Sequence, residues 1–146
     1  MISEKKKTAA KNVGILSNRV RRHIDEFAVR GIYSGAQGRV LHFLLVASCE
    51  DNVDIFQKDI EEEYGLRPPT ASQLLKSMEK KGLITRKPVE YDARLKKIVV
   101  TEKAKKYGDK VRKDLFAFDE MLMKDISEEN IDVFNHIVEQ MIENIS

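Results

Sequence analysis

The chain of 146 residues contains 42% hydrophobic and 34% charged residues, one cysteine and no tryptophan. This length suits one domain or one modest subunit, near the size at which a partner subunit helps to complete a hydrophobic core. The charges are evenly mixed and no long apolar run occurs, which argues against a membrane span or a secretory signal and predicts a cytoplasmic protein. Cys49 has no second cysteine to pair with, in agreement with a reducing compartment.

The net charge of +2 conceals a segregation of charge along the chain. Residues 1–22 hold seven Lys/Arg and one acid, and residues 67–106 hold twelve Lys/Arg and four acids. Residues 23–66 hold three Lys/Arg against nine acids, and residues 107–146 hold four against ten. The pattern predicts two basic segments that favour a polyanion, attached to an acidic body.

The first predicted helix follows a frayed amino terminus that contains Lys5, Lys6, Lys7 and Lys11. Its apolar seam recurs every three or four residues, at Val13, Leu16, Val20, Ile24 and Phe27, and Gly31 closes the pattern. Ser34 is a candidate cap for a second helix, apolar nearly all round through Val46, which we expect to be the most buried. The β-prone segment Val53–Ile55 is a candidate strand that pairs with a later hairpin.

Two short helices joined by a tight turn are predicted next. Phe56, Ile60 and Tyr64 supply one apolar residue per turn of the first helix, and Gly65 can take the left-handed conformation that ends it. The second helix is predicted to begin near Pro68-Pro69 and to end at Gly82.

The second of these helices has two distinct faces. One is an apolar stripe that suits the core and consists of Ala71, Leu74, Leu75 and Met78. The other contains no acid and consists of Pro69, Ser72, Gln73, Lys76 and Lys80. Small and amide side chains followed by lysines suit base edges and phosphates in a major groove. Considered alone, the same face is equally well explained as the solvated side of an ordinary helix.

A basic β-hairpin, here called the wing, is predicted after Gly82. The β-prone runs Leu83–Arg86 and Leu95–Val100 flank the polar segment Lys87–Arg94. Its cations outnumber its acids and are Arg86, Lys87, Arg94, Lys96 and Lys97. Asp92 stands two residues before Arg94, where a carboxylate can orient the guanidinium toward a narrow minor groove. The alternative is a surface ion pair worth under about 1 kcal/mol.

Two further helices are predicted after the wing. Thr101 is a candidate cap for one long helix with apolar positions at Ala104, Tyr107, Val111, Leu115, Phe118 and Leu122. Ser127 starts the last helix, whose wide apolar stripe contains Ile131, Phe134, Ile137, Val138, Met141, Ile142 and Ile145. Such a stripe needs a cover, which is either the same subunit or, in the favoured interpretation, a second subunit.

From Ile60 to Lys106 the chain resembles the MarR (multiple antibiotic resistance regulator) family of dimeric winged-helix transcription regulators. The matching segments are Tyr64-Gly65-Leu66, Pro69-Thr70-Ala71-Ser72, Glu79-Lys80-Lys81-Gly82-Leu83-Ile84-Thr85-Arg86, Asp92-x-Arg94 and Val100-Thr101-Glu102-Lys103. The resemblance implies base contacts from the second of the paired helices and a minor-groove contact from Arg94. The chain departs from the family pattern at Glu61, Arg67, Ala93 and Ala104, and Arg67 stands where a capping Ser or Thr is usual.

The residues and the resemblance together predict a mainly α fold with a small β wing. We expect one MarR-like domain over residues 1–146, in which 1–33 and 107–146 are dimerisation helices and 34–106 form a winged helix-turn-helix. The predicted function is a homodimeric, sequence-specific transcription regulator that binds a palindromic operator in double-stranded DNA, as a repressor released by a small-molecule effector. The predicted DNA-binding residues are Thr70, Ser72, Gln73, Lys76, Lys80, Arg86, Asp92, Arg94, Lys96 and Lys97. The alternative is a winged-helix protein-interaction module without specific DNA binding, against which the segregated charge argues.

The sequence shows no arrangement typical of catalysis or metal binding. His23, His42 and His136 are far apart, and no His-x-x-x-His or Cys-x-x-Cys spacing occurs. No glycine-rich phosphate loop, nucleophile elbow or paired catalytic carboxylate is present. We therefore expect neither an enzyme nor a bound metal or cofactor. Cys49 ends an apolar helix, where an inert thiol is the commoner outcome, but a redox role stays open.

Overall fold

The computed structural model describes residues 8–50 and 52–146, except the side chains of Cys49 and Glu50. The predicted lysine-rich terminus at Lys5, Lys6 and Lys7 lies outside these residues. The helices are α1 (Ala9–Asp25), α2 (Gly35–Leu44), α3 (Gln57–Tyr64), α4 (Pro68–Lys80), α5 (Glu102–Lys105), α6 (Gly108–Leu122) and α7 (Glu128–Asn144). Strands β1 (Ile84–Val89) and β2 (Asp92–Val100) form one antiparallel sheet, and a π-helical segment, Leu45–Glu50, continues α2. This architecture confirms the predicted fold class, a mainly α winged helix-turn-helix.

The first helix is shorter than its apolar seam suggested. It ends at Asp25, and the chain then turns through residues 26–33, where Val29 and Tyr33 form an isolated antiparallel bridge. The Val29 N–H donates to the Tyr33 carbonyl at 2.9 Å and the Tyr33 N–H to the Val29 carbonyl at 3.0 Å. The backbone N–H and C=O groups of these residues thus bond within the turn and not within a longer helix. The prediction that Gly31 ends α1 is therefore wrong, because α1 ends six residues earlier, at Asp25.

The core lies between α2, the paired helices α3 and α4, and the base of the wing. Its buried members are Tyr33, Val40, Leu41, Leu44, Ile55, Ile60, Leu75, Met78, Leu83, Ile84, Ile98, Val100, Ala104 and Val111. Gly65 has φ +61° and ends α3, as its sequence position predicted. Ala71, Leu75 and Met78 on α4 are completely buried, which confirms the predicted apolar stripe.

Tyr64 fastens α3 to α2. Its hydroxyl donates to the Arg39 carbonyl at 2.9 Å, and the Arg39 guanidinium lies 5.6 Å from the centre of its ring. The ring also meets Phe43 edge to face. Burial raises the pKa of Tyr64 to about 12, so its hydroxyl remains a donor at neutral pH.

The wing strands are longer than the β-prone runs in the sequence. Only Glu90 and Tyr91 form the turn, because both strands extend into the predicted polar segment Lys87–Arg94. Pro88 pairs with Lys96 but the next residue of β1, Val89, pairs with Asp92. The residues between those partners, 93–95, therefore bulge out of the ladder. Pro88 lacks the N–H that a regular ladder uses, which fits an irregularity at this position.

The segment before α3 contacts the wing through a single backbone hydrogen bond. The Ile98 N–H donates to the Ile55 carbonyl at 2.8 Å, but Val53–Ile55 is not a strand. The predicted pairing is thus reduced to one bond.

The long helix predicted after the wing is divided in two. Thr101 caps α5 as predicted, accepting from the Ala104 N–H, but the chain leaves the helix before α6 begins at Gly108. At the break, the Tyr107 N–H donates to the Ala104 carbonyl, three residues back, and its ring packs edge to face on Tyr33 with centroids 5.8 Å apart. The helix break thus coincides with the aromatic contact, which heptad spacing alone does not reveal.

The chain separates into two compact units, one ending at Leu115 and the other comprising Phe116–Ser146. In the second unit, Ser127 caps α7 as predicted, and no residue of α7 is buried. The exposed large apolar side chains of α7 are Val133, Phe134, Ile137 and Ile142, and Ile145 follows at its C-cap. The predicted division at 33/34 and 106/107 stays a prediction.

Gly35 should be intolerant of any side chain. A Cβ atom built on Gly35 would lie 2.0 Å from the Ile24 carbonyl oxygen, a backbone atom at the end of α1. We expect Gly35→Ala to lower the free energy of unfolding by about 1–3 kcal/mol or more, because one of the two helices must move. The measurement is urea unfolding. The matched control is Gly14→Ala, where a Cβ meets nothing within 4 Å and alanine favours the helix. Equal stability of the two variants would contradict this account of the helix junction.

Candidate nucleic-acid interface

The outward face of α4 carries the side chains that the sequence selected. Thr70, Gln73, Lys76 and Lys80 are exposed and Ser72 is half-buried, while Ala71, Leu75 and Met78 point into the core. Core packing therefore decides which side of α4 meets the solvent. The exposed side offers hydroxyl and amide groups near its start and ammonium groups toward its end, the chemistry that suits base edges and phosphates.

The start of α4 is held by a neighbouring helix and not by its own cap. Arg67 occupies the N-cap position without a capping hydrogen bond from its side chain. The amide nitrogen of Gln57, in α3, donates to the Pro68 carbonyl at 3.4 Å and to Glu61 Oε2 at 3.1 Å. This contact joins the two helices at the end where the chain reverses.

Arg86 is placed differently from the other predicted contact residues. Only 20% of its side chain is exposed, and its guanidinium faces Gln57 Oε1 at 3.5 Å and Glu79 Oε1 at 4.0 Å. Its Nε and Nη2 are buried, and neither has a hydrogen-bond partner within the described residues. The guanidinium therefore lies between β1, α3 and α4, where it braces the wing against both helices.

Arg94 lies in the bulge of the wing with its side chain 89% exposed. Its Nε is 3.2 Å from Asp92 Oδ1 and its Nη2 is 3.3 Å from Asp92 Oδ2, an arrangement that engages both carboxylate oxygens. The Arg94 backbone N–H also donates to Asp92 Oδ1 at 2.9 Å. These hydrogen bonds, from the guanidinium first and then the backbone, lower the pKa of Asp92. The carboxylate thus orients an exposed guanidinium at the edge of the hairpin.

The two lysines of β2 differ in whether they form an ion pair. Lys96 is exposed, whereas Lys97 is 3.7 Å from Asp54 Oδ1 in an ion pair. Sequence reasoning passed over Tyr91, which is 70% exposed in the turn of the hairpin. The sequence signal that could have identified Tyr91 is its position as an aromatic residue inside a polar, charged segment.

The same module is found in known proteins. Residues 33–95 match the model of the MarR family. An uncharacterized HTH-type transcriptional regulator, YwoH of Bacillus subtilis (strain 168), is 27% identical over 113 residues, 77% of each chain. The chain is similar to the MarR family over these residues, which include α3, α4, β1 and the first part of β2. The likeness therefore covers the helix-turn-helix and most of the wing.

Two solved structures share this fold over nearly the full length of the chain. The transcription regulator MarR from Oenococcus oeni PSU-1 is 26% identical, with a TM-score of 0.80 over 93% of this chain and 99% of that chain. The S. aureus MepR–DNA complex is 22% identical, with a TM-score of 0.83 over 97% of this chain and 99% of that chain. The second likeness concerns the fold alone.

Other kinds of site have little support in the part of the chain that the structure describes. Within it, no group of three or more His, Cys, Asp or Glu residues is arranged to hold a metal. The His23 ring nitrogen Nδ1 lies 3.7 Å from Glu26 Oε2, and His136 Nδ1 is 3.3 Å from the Asp132 carbonyl. No helix in the described ranges is long and apolar enough to cross a membrane. The Cys49 side chain lies outside the described residues.

The contact between Asp92 and Arg94 can be tested by titration of the protein. We expect the pKa of Asp92 to lie below its ordinary value and to rise in Arg94→Ala, because that variant removes the guanidinium, the main cause of the shift. A carboxyl whose pKa falls on folding contributes stability above the pKa of the unfolded chain, and this contribution is lost as the pH falls through the folded pKa. NMR detection of the Asp92 carboxyl carbon between pH 2 and 7 (roughly, the range spanning ordinary carboxyl titration) measures it. An unchanged Asp92 titration in Arg94→Ala would show that the two groups do not interact in solution.

Proposed function

We propose that this regulator is a homodimer that binds double-stranded DNA sequence-specifically and represses transcription until a small-molecule effector releases it. The observation that carries the proposal is the exposed face of α4 with Thr70, Gln73, Lys76 and Lys80, beside a wing whose Arg94 is held by Asp92. The acid on that face, Glu79, is directed to Arg86. Structurally similar MepR has been crystallised with DNA, which supports the choice of partner. Because this partner is the chromosome, we also propose a cytoplasmic location.

The proposed DNA-binding residues differ in chemistry according to whether they contact base edges or phosphates. Thr70, Ser72 and Gln73 supply short polar groups near the start of α4, and an amide such as that of Gln73 can pair bidentately with adenine. The lysines supply charge to the phosphates and are Lys76, Lys80, Lys96 and Lys97. Arg94 enters the minor groove, where a narrow, negative channel attracts a guanidinium, and Asp92 holds it. Arg86 contributes by fixing the wing in place.

An effector site is proposed beside α2. A surface crevice there is lined by Phe27, Tyr33, Arg39, Val111 and Asp114, among others. The Tyr33 hydroxyl is buried and has no hydrogen-bond partner among the described residues, and burial raises its pKa, so it stays a donor. The free volume of the crevice is about 10 Å³, room for one water-sized group, so an effector has to widen it before its acceptor group reaches the Tyr33 hydroxyl. The chemical identity of the effector is left open.

The homodimer is proposed from apolar surface that one chain leaves exposed. On α1, Val13 is 51% exposed, and on α7, Phe134 is 51% and Ile142 57% exposed. Each of these helices leaves several large apolar side chains in water, and a second copy is the simplest cover. We therefore retain residues 1–33 and 107–146 as the dimerisation helices. Two α4 helices related by a two-fold axis then read a palindromic operator with half-sites about 10 base pairs apart.

The decisive experiment combines selection of DNA with variants of the wing. A duplex enriched from a random library by the wild-type protein serves as operator, and a scrambled duplex of equal length as competitor. We expect Arg94→Ala to weaken operator binding by roughly 1–3 kcal/mol and to flatten its salt dependence by about one unit of slope. Asp92→Ala should cost less, because the cation remains, and the two losses should not add, because the groups share one contact.

Lys124→Ala is the matched control for the wing variants, since it also removes an exposed cation but lies outside residues 34–106. Melting temperatures show whether each variant is folded. Failure of the wild type to enrich any sequence would favour the protein-interaction module over the regulator that reads an operator. Wild-type affinity of a folded Arg94→Ala would show that this arginine is an ordinary surface charge.

The dimer predicts a molecular mass twice the 16.8 kDa of one chain. Sedimentation equilibrium at micromolar concentration measures this mass. Ile137→Glu should shift the protein toward monomer, because it places a charge in the exposed apolar stripe of α7. Glu139→Gln changes an exposed residue of the same helix outside that stripe and should leave the mass unchanged. A well-folded wild-type monomer at this concentration would rule the dimer out.

A further inference from the structure

Gln37 is a buried amide whose hydrogen bonds join two distant helices. It is 4% exposed and is the buried polar side chain of the described residues. Its Oε1 accepts from the Ser34 backbone N–H at 3.0 Å and from Lys81 Nζ at 2.8 Å. Its Nε2 donates to Ser77 Oγ at 2.9 Å. One side chain therefore closes the cap of α2 and also holds the last turn and the C-cap of α4.

The orientation of this amide is determined by its partners. A backbone N–H and a lysine ammonium group can only donate, so the atom that faces both must be the oxygen. The nitrogen is then left for the Ser77 hydroxyl, which can accept. Both ends of the buried amide thus have hydrogen-bond partners, an arrangement that favours one packing geometry over others.

The α2 end of this cluster is immobilised by α1. Gly35, the residue after the Ser34 cap, lies so close to the end of α1 that a Cβ atom would approach the Ile24 carbonyl oxygen to 2.0 Å. The first turn of α2 is thus a rigid corner between α1 and α2. Gln37 projects from that corner to α4.

The α4 end is held at the carboxyl end of the helix. Besides the bonds from Gln37, the Lys103 ammonium donates to the Lys81 carbonyl at 3.1 Å and the Thr101 hydroxyl to the Gly82 carbonyl at 2.7 Å. At the opposite end, Arg67 supplies no side-chain cap. Gln57 of α3 holds that end through the Pro68 carbonyl, so Gln37 ties the carboxyl end of α4, and not its start, to the corner of α1 and α2.

We propose that Gln37 is a positioning residue for operator recognition, one that fixes the angle of α4 against the corner of α1 and α2. The proposal rests on the function proposed above, because it concerns how the reading helix is aimed. Gln37 touches no DNA in this account. It acts through Ser77 and Lys81.

A small tilt at this point is enough to change recognition. Thr70 lies seven residues from Ser77, or about 10 Å along the helix axis, so a tilt of about 10° moves Thr70 by roughly 2 Å. A hydrogen bond to a base edge does not survive such a displacement. Long lysine side chains can follow a phosphate over the same distance, so contacts to the backbone of DNA should persist. Loss of Gln37 should therefore reduce discrimination between sequences more than overall attraction to DNA.

The test compares four full-length proteins with wild type by fluorescence anisotropy on the selected duplex and on the scrambled duplex. They are Gln37→Leu, Gln37→Glu, Ser77→Ala and the double variant Gln37→Leu/Ser77→Ala. We expect Gln37→Leu to lower affinity for the selected duplex about tenfold and for the scrambled duplex less than about twofold. Ser77→Ala, which leaves the α2 cap intact, should lower the same preference about threefold. The double variant should resemble Gln37→Leu, because both changes break one connection.

Gln37→Glu is the conservative variant that should restore the preference to within about twofold of wild type. Its carboxylate still accepts from the Ser34 N–H and from Lys81, and the Ser77 hydroxyl can rotate to donate. Equal loss of affinity for both duplexes in Gln37→Leu, or an unchanged preference in Ser77→Ala, would overturn the proposal. If Gln37→Leu does not fold, Ser77→Ala still decides. If the wild type selects no duplex, the proposed function is overturned, and the positioning role with it. If the wild type selects a duplex but Ser77→Ala keeps the same preference, only the positioning role is overturned.

Discussion

Burial of one face of α4 is the constraint on which the reading module depends. Ala71, Leu75 and Met78 are completely buried, and each large apolar side chain of this kind contributes about 1.5–3 kcal/mol when removed from water. Successive helical residues point about 100° apart, so burying this stripe turns Thr70 and Gln73 outward. Any rotation that withdrew the outer face would expose the inner one. The stability of the core and the direction of the polar face are therefore set together.

In the wing, the direction of the key side chain does not depend on core packing. Its base is anchored by buried Ile84, Ile98 and Val100, but Arg94 lies beyond that anchor, in the bulge where the ladder is interrupted. No core contact is needed to aim Arg94, because Asp92 two residues earlier does so by hydrogen bonds within the bulge. An exposed ion pair of this kind adds little to stability. Its value lies in restricting where a long, flexible cation points before it meets a partner.

Contacts between these parts link the module to the rest of the chain. Arg86 joins β1 to α3 and α4, while Gln37 joins the corner of α1 and α2 to the far end of α4. The Gln37 amide has hydrogen-bond partners at both its oxygen and its nitrogen, and leaving them unpaired is costly. Arg86 instead contacts Gln57 and Glu79 at longer range, at 3.5 and 4.0 Å. Such contacts favour a single arrangement of the reading head. They also provide a route by which a change near α1 and α2 reaches α4.

The sequence by itself determined the features that depend on neighbouring residues. Hydrophobic periodicity predicted the paired helices and their buried stripe, and capping residues Ser34, Thr101 and Ser127 marked helix starts, because a cap is a contact over three residues. The Asp92–Arg94 contact was accessible for the same reason. Ten candidate contact residues were selected from their chemistry and helical position, and their role on DNA stays a prediction.

Only the tertiary structure decided the features that depend on residues far apart in the chain. It turned Arg86 inward toward Glu79, divided the predicted long helix where Tyr107 meets Tyr33, and extended the wing strands to a two-residue turn. It also paired Gln37 with Ser77, forty positions away. A sequence pattern records the chemistry of each side chain and its local spacing. Which distant partner that side chain meets is settled only when the core packs, because packing brings together residues whose separation along the chain carries no periodic signal.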